Sequence, residues 1–210
     1  TLQNRARTTD PDLPILQRVI DGDRAAFAEL VDRHKAPGMT LAVRILQNTS
    51  DAEEALQDAF LRAFRALPEF KFEARFATWF YRILYNVCCS KQERLRNNME
   101  TISISDDDEI GTVISGAHSN EAIDQAEVYR ITIKDIERLP AEYNSVLTLF
   151  TLQEFKLQEI VEITGMPIGT VKARIFRGRA MLRDRVEKIL SHGLTPTILI
   201  SDKVGGRKLL

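Results

Sequence analysis

The stretch LQEIVEITGMPIGTVKARIFRGRAMLRDRV, Leu157 to Val186, decides how the chain is read. Leu157, Ile160 and Val161 give a short helix one apolar face. Gly165 ends that helix, because glycine accepts the left-handed backbone a sharp turn requires. Met166 and Pro167 lead into a second helix, which proline helps to start. In the second helix Val171, Ile175, Gly178, Leu182, Val186 and Ile189 recur at helical spacing and form a packed stripe. Gly169, Lys172, Ala173, Phe176, Arg177 and Ala180 point away from the stripe, and Arg174 and Arg179 flank it. From Lys172 to Lys188 seven residues are basic, against only Asp184 and Glu187. A short helix, a glycine turn and a basic second helix make the helix-turn-helix plan, whose second helix enters the DNA major groove. Arginine or lysine can donate two hydrogen bonds to guanine, worth roughly 1–3 kcal/mol of discrimination. Phe176 is suited to lie against a thymine methyl or a sugar.

Outward from this motif, helical periodicity dominates and no alternating strand pattern stands out. The predicted fold class is all-α: two small helical domains joined by a flexible acidic linker, the C-terminal one a helix-turn-helix. Residues 1–12 read as a disordered lead, 13–98 as the first domain, 99–124 as the linker, 125–190 as the second domain and 191–210 as a tail of no evident role. The linker is defined by composition. From residue 99 to 127 there are eight acidic residues, no lysine or arginine, and Gly111 and Gly116 among serines. The net charge of −1 says nothing by itself about nucleic acid, so the distribution of charge carries the information. The two cysteines, Cys88 and Cys89, are adjacent and build no disulfide framework. No apolar run is long enough to span a membrane, and the start lacks the apolar core of an export signal. A cytoplasmic location is expected.

Two further segments carry information. In Ser50-Asp-Ala-Glu-Glu-Ala-Leu-Gln-Asp-Ala-Phe, Ser50 and Glu53 have capping-box spacing, which predicts a helix starting there. Ala52, Leu56, Ala59, Phe60, Ala63 and Leu67 form its inner stripe. Glu54, Gln57, Asp58, Leu61 and Arg65 lie outside, an apolar centre with a polar rim that fits a docking surface. In Phe70-Lys-Phe-Glu-Ala-Arg-Phe-Ala-Thr-Trp-Phe-Tyr-Arg-Ile-Leu-Tyr-Asn, aromatics and cations interleave around Phe70, Lys71, Phe72, Arg75 and Phe76. That mixture suits single-stranded DNA, because bases stack on rings while cations neutralise phosphates. Trp79, Phe80, Ile83, Leu84 and Val87 form the buried face of the following helix. Arg82, Tyr85, Asn86 and Cys89 lie opposite.

These three segments, in this order, resemble the extracytoplasmic-function group of bacterial RNA polymerase sigma factors, the RpoE-like type. The resemblance rests on Met166 to Arg179, on Leu139-Pro140 upstream, on Asp51 to Phe60 and on Thr78 to Asn86. It implies a transcription initiation factor that binds core RNA polymerase, recognises −35 and −10 promoter elements and melts the −10 region. It implies −35 contacts by Thr170, Lys172, Ala173, Arg174, Phe176, Arg177 and Arg179. The −10 contacts would come from Phe70, Lys71, Phe72, Arg75, Arg82, Tyr85 and Asn86. Glu54, Gln57, Asp58, Leu61 and Arg65 would meet the polymerase. The implied partners are core polymerase, promoter DNA and an anti-sigma factor, which in this family is often membrane-bound, with no cofactor and no small-molecule substrate.

A helix-turn-helix regulator that acts without polymerase is the alternative, but it leaves the aromatic segment and the Ser50 helix unused. An enzyme is not expected. Glu53, Glu54, Asp58 and His34 lack the Glu-x-x-His pairs of a di-iron bundle. His34, His118 and His192 have no metal-ligand spacing, and no phosphate-binding glycine loop is present.

Overall fold

The computed structural model describes residues 10–102, 136 and 139–191. Residues 1–9 of the lead, the linker from residue 103, residues 125–135, 137 and 138 of the second domain and the tail from residue 192 lie outside the described residues. Among the described residues all regular structure is helical. In the N-terminal unit α1 is Leu13–Ile20, α2 Phe27–Leu46, α3 Thr49–Ala66 and α4 Phe76–Ile102. In the C-terminal unit α5 is Ala141–Leu147, α6 Leu157–Thr164 and α7 Ile168–Ser191. A π-helical turn, Thr148–Leu152, extends α5.

The N-terminal unit packs α2, α3 and α4 around one apolar core. The α3 stripe of Ala52, Leu56, Ala59, Phe60, Ala63 and Leu67 is buried as its spacing predicts. Phe60 stacks on Phe80 at 4.5 Å between ring centroids, and Phe76 lies over Phe80 at 6.0 Å. Gly38 lets α2 approach α3 closely, since a Cβ there would stand 2.9 Å from Leu56 Cδ1. The cap of α3 is one correction to the sequence reading. Asn48, not Ser50, caps it, with Asn48 Oδ1 accepting from the Asp51 N–H at 3.0 Å.

Two boundaries also move. Asp10, Pro11 and Asp12 belong to the fold rather than to a disordered lead. Asp10 Oδ2 accepts from the Phe76 N–H at 2.7 Å and so caps the start of α4. Asp12 is fully buried and pairs with Arg33 and with His34, the latter at 2.8 Å. His34 is therefore a buried member of the core edge. At the other end α4 runs to Ile102, beyond the domain limit at residue 98 set by composition. Helical hydrogen bonding propagates one residue at a time once begun, so a change in charge composition does not stop it.

The C-terminal unit buries Ile136, Leu139, Val146, Leu147, Leu149, Ile160, Ile163, Val171, Ile175 and Leu182. Gly165 takes φ +70 and its N–H reaches Val161 O at 2.9 Å, the turn its sequence position predicts. The α7 stripe is confirmed at Val171, Ile175, Gly178 and Leu182, while the side chains of Val186 and Ile189 lie outside the described residues. The two units meet: α6 lies along α4, and α5 lies against α2.

Candidate nucleic-acid interface

The exposed face of α7 presents Lys172, Phe176 and Arg177 to solvent, with Thr170 and Ala173 half-buried beside them. Phe176 is 76% exposed, the most exposed of the large apolar side chains among the described residues. A ring of that size in water has no structural use inside this unit. The two flanking arginines sit differently. Arg174 reaches Glu142 Oε2 at 3.5 Å and donates to Met166 Sδ at 3.0 Å. Arg179 lies over the Phe150 ring at 5.1 Å, and burial lowers its pKa. The fold therefore already engages both guanidiniums, and the freely presented part of the basic face centres on Lys172, Phe176 and Arg177.

The aromatic segment divides in the same way. Phe70 is buried, with centroid distances of 4.8 Å to Phe72 and 4.9 Å to Trp79. Its ring is core, which corrects its assignment as a stacking platform. Phe72 is half-buried at φ +57, a backbone conformation seldom adopted by a bulky residue. Lys71 is exposed. On α4 Arg82 and Asn86 are exposed and Tyr85 is half-buried. Burial raises the Tyr85 hydroxyl pKa, with the adjacent Cys89 adding to the rise. Arg75 is not free: its Nε and Nη2 donate to Glu159 Oε1 at 2.7 and 2.6 Å. Glu159 comes from α6, and nothing in its own segment marks it as a partner of Arg75.

The outer face of α3 carries Glu54, Gln57, Leu61 and Arg65 exposed and Asp58 half-buried. Leu61 is 54% exposed at its centre. Lys91 on α4 donates to Glu54 Oε2 at 2.6 Å and meets Asp51 Oδ1 at 3.0 Å, and Arg62 pairs with Asp58 at 2.8 Å. Between α3 and α4 runs a shallow groove of about 300 Å³, with Leu95 and Arg94 on its far wall. Sequence reasoning missed the α4 half of this surface. An exposed leucine at position 95 between charged neighbours was the available signal. Among the described residues no cluster of histidine, cysteine and carboxylate side chains could hold a metal ion.

The geometry is that of a two-unit helical protein whose second unit is a helix-turn-helix. Residues 30–98 match the family model Sigma-70 region 2, and residues 136–182 match Sigma-70, region 4. The chain is 33% identical over 183 residues to the ECF RNA polymerase sigma factor SigW of Bacillus subtilis, covering 83% of this chain and 96% of that one. It is 30% identical over 185 residues to the ECF RNA polymerase sigma-E factor of Haemophilus influenzae, covering 85% and 97%. Among solved structures, CnrH in complex with the cytosolic domain of CnrY superposes with a TM-score of 0.58 at 20% identity, covering 85% of this chain and 99% of that one. The sigma factor RpoE of Bartonella quintana, in complex with the anti-sigma factor NepR, gives a TM-score of 0.58 at 20% identity over 77% and 96%. The chain belongs to the ECF group of the sigma-70 family of RNA polymerase sigma factors. That membership sets aside the operator-binding regulator as the alternative.

Proposed function

We propose that this sigma factor divides promoter recognition between α7 and the solvent face of α4, and that α3 holds it to core polymerase. The observation that carries the reading is the 76% exposure of Phe176 between Lys172 and Arg177 on the second helix of a helix-turn-helix. Lys172, Ala173, Phe176 and Arg177 read the −35 duplex, Thr170 meets its backbone, and Arg174 and Arg179 brace the helix near phosphates. Lys71, Phe72, Arg75, Arg82, Tyr85 and Asn86 hold the unpaired −10 strand. Extruding a base costs a few kcal/mol of stacking and pairing, which pocket and phosphate contacts offset without hydrolysis. Glu54, Gln57, Asp58, Leu61 and Arg65 supply a polar rim and an apolar centre for the polymerase. Such a protein works in the cytoplasm, beside its polymerase and DNA, and an anti-sigma factor is the natural partner for its exposed docking faces.

The test is permanganate footprinting of promoter complexes. Asn86→Ala is expected to reduce −10 reactivity about ten-fold, on the scale of one lost base contact, while holoenzyme still assembles. Lys172→Ala with Arg177→Ala is expected to remove −35 protection. Unchanged footprints in both variants would refute the residue assignment.

A further inference from the structure

The start of α4 has no cap of its own. Arg75 holds the N-cap place, where its C=O accepts the Trp79 N–H at 3.1 Å. A guanidinium has donors only, so Arg75 cannot serve the first amides of the helix, and Ala74 before it has no polar side chain. The acceptor comes instead from 66 residues upstream: Asp10 Oδ2 takes the Phe76 N–H at 2.7 Å. The other oxygen, Asp10 Oδ1, takes the Asp12 N–H at 3.0 Å. Asp12 in turn opens α1, its C=O accepting from the Leu16 N–H at 3.0 Å, and its carboxylate meets His34 Nε2 of α2 at 2.8 Å. The His34 ring lies 5.4 Å from that of Phe76. Asp10, Pro11 and Asp12 thus tie α1 and α2 to the first residue of α4. What they fix is the segment just before it. Phe70 is held upstream by Trp79, at 4.9 Å between centroids, and Phe76 is held downstream by Asp10. Only residues 71–75 lie between, and among them Phe72 has φ +57. A bulky residue keeps that conformation only where its surroundings over-determine it, and two anchors this close in the chain do so.

We propose that Asp10 is a positioning residue for −10 recognition: it pins the downstream end of the segment from Phe70 to Phe76, and so the placing of Lys71 and Phe72, without touching DNA. The inference rests on the assignment of Lys71, Phe72 and α4 to the −10 strand. A strand that meets a preset segment loses no affinity to ordering it. The carboxylate is also well placed electrostatically, since a negative charge is favourable at a helix N-terminus.

The test compares Asp10→Ala, Asp10→Asn and Asn48→Ala, each in the full chain. Asn48→Ala removes the equivalent cap from α3 and so reports what a lost cap does to stability alone. Promoter complexes are footprinted with permanganate at saturating core polymerase, and the free proteins are followed by hydrogen exchange. Asp10→Ala is expected to lower −10 reactivity about five-fold, on the scale of one lost cap, with −35 protection and polymerase affinity unchanged. Exchange should quicken over residues 70–79 in that variant and at the start of α3 in Asn48→Ala. Asp10→Asn keeps one acceptor oxygen for the Phe76 N–H and should restore most of the reactivity. Asn48→Ala should leave −10 reactivity at the wild-type level despite a similar loss in unfolding midpoint. Equal loss of reactivity in Asp10→Ala and Asn48→Ala would make Asp10 a stabilising contact only and overturn the proposal, as would wild-type reactivity in Asp10→Ala. Asn86→Ala is run alongside. If it lowers reactivity while Asp10→Ala does not, the positioning role alone fails; if neither does, the −10 assignment fails and the positioning role with it.

Discussion

Gly178 lies on the packed side of α7, and its replacement by alanine is a sharp test of how that helix is seated. A Cβ at this position would stand 2.6 Å from Leu147 Cδ1, 3.2 Å from Leu147 Cγ and 3.3 Å from Tyr143 Cβ. Leu147 is only 1% exposed, so its side chain has no open space to turn into, and α5 and α7 must move apart. Overpacking of this kind costs about 1–3 kcal/mol. Alanine regains about 1 kcal/mol of helix propensity over glycine. The net expectation is a loss of about 1 kcal/mol. Gly169, on the same helix, provides the control. Nothing lies within 4 Å of its Cβ position, so Gly169→Ala carries the propensity gain without the clash. The two substitutions, identical in chemistry, should differ by about 2 kcal/mol in urea unfolding followed by far-ultraviolet circular dichroism. Equal midpoints for the two variants would show that α7 does not sit against Leu147 as described.

Asp12→Ala should lower stability at neutral pH by roughly 1.5–3 kcal/mol, the scale of hydrogen bonds to a charged group, measured by urea unfolding. Burial would raise the Asp12 carboxyl, but the hydrogen bonds and charges of His34 and Arg33 outweigh it and hold the pKa below its ordinary 3.8. A carboxylate depressed in the folded state stabilises the fold above its unfolded value and loses that contribution as pH falls through the folded one. The gap between wild type and variant should therefore close below pH 3.8. Leu61→Asp should weaken core-polymerase binding at least about ten-fold with little change in unfolding midpoint, since Leu61 is exposed; equal affinity would remove α3 from the docking surface. Burial pushes the Cys88 thiol up to about 12, and Cys89 is raised by burial as well. Both should alkylate slowly with iodoacetamide in the native protein and rapidly in urea.

The helical units were legible because their cores follow the helical repeat. The α3 stripe, the Gly165 turn and the α7 stripe each occupy one contiguous window, and the pattern alone orients them. The errors fall where a partner lies far away in the chain. Asp10 and Asp12 look like solvated charges in a polar lead until the Phe76 N–H, Arg33 and His34 are brought to them. Phe70 reads as a base platform beside Lys71, yet Trp79 claims its ring. Arg174 and Arg179 sit at the edge of the basic face on a helical wheel, and only the packing of α5, Met166 and Phe150 turns them inward. Asn48 and Ser50 are both good capping residues. The extended backbone of Asn48, at φ −141 and ψ 127, decides between them, and no composition rule contains it. The Arg75–Glu159 contact spans the linker, so no local pattern announces it.

The most direct measurement is run-off transcription with purified bacterial core polymerase on a promoter library, with and without this protein. The account predicts transcripts that require the protein, start at a restricted set of promoters, and share −35 and −10 sequences. It also predicts that Leu61→Asp and Asn86→Ala each reduce them. Failure to bind core polymerase, with no promoter-dependent transcript, would contradict the account.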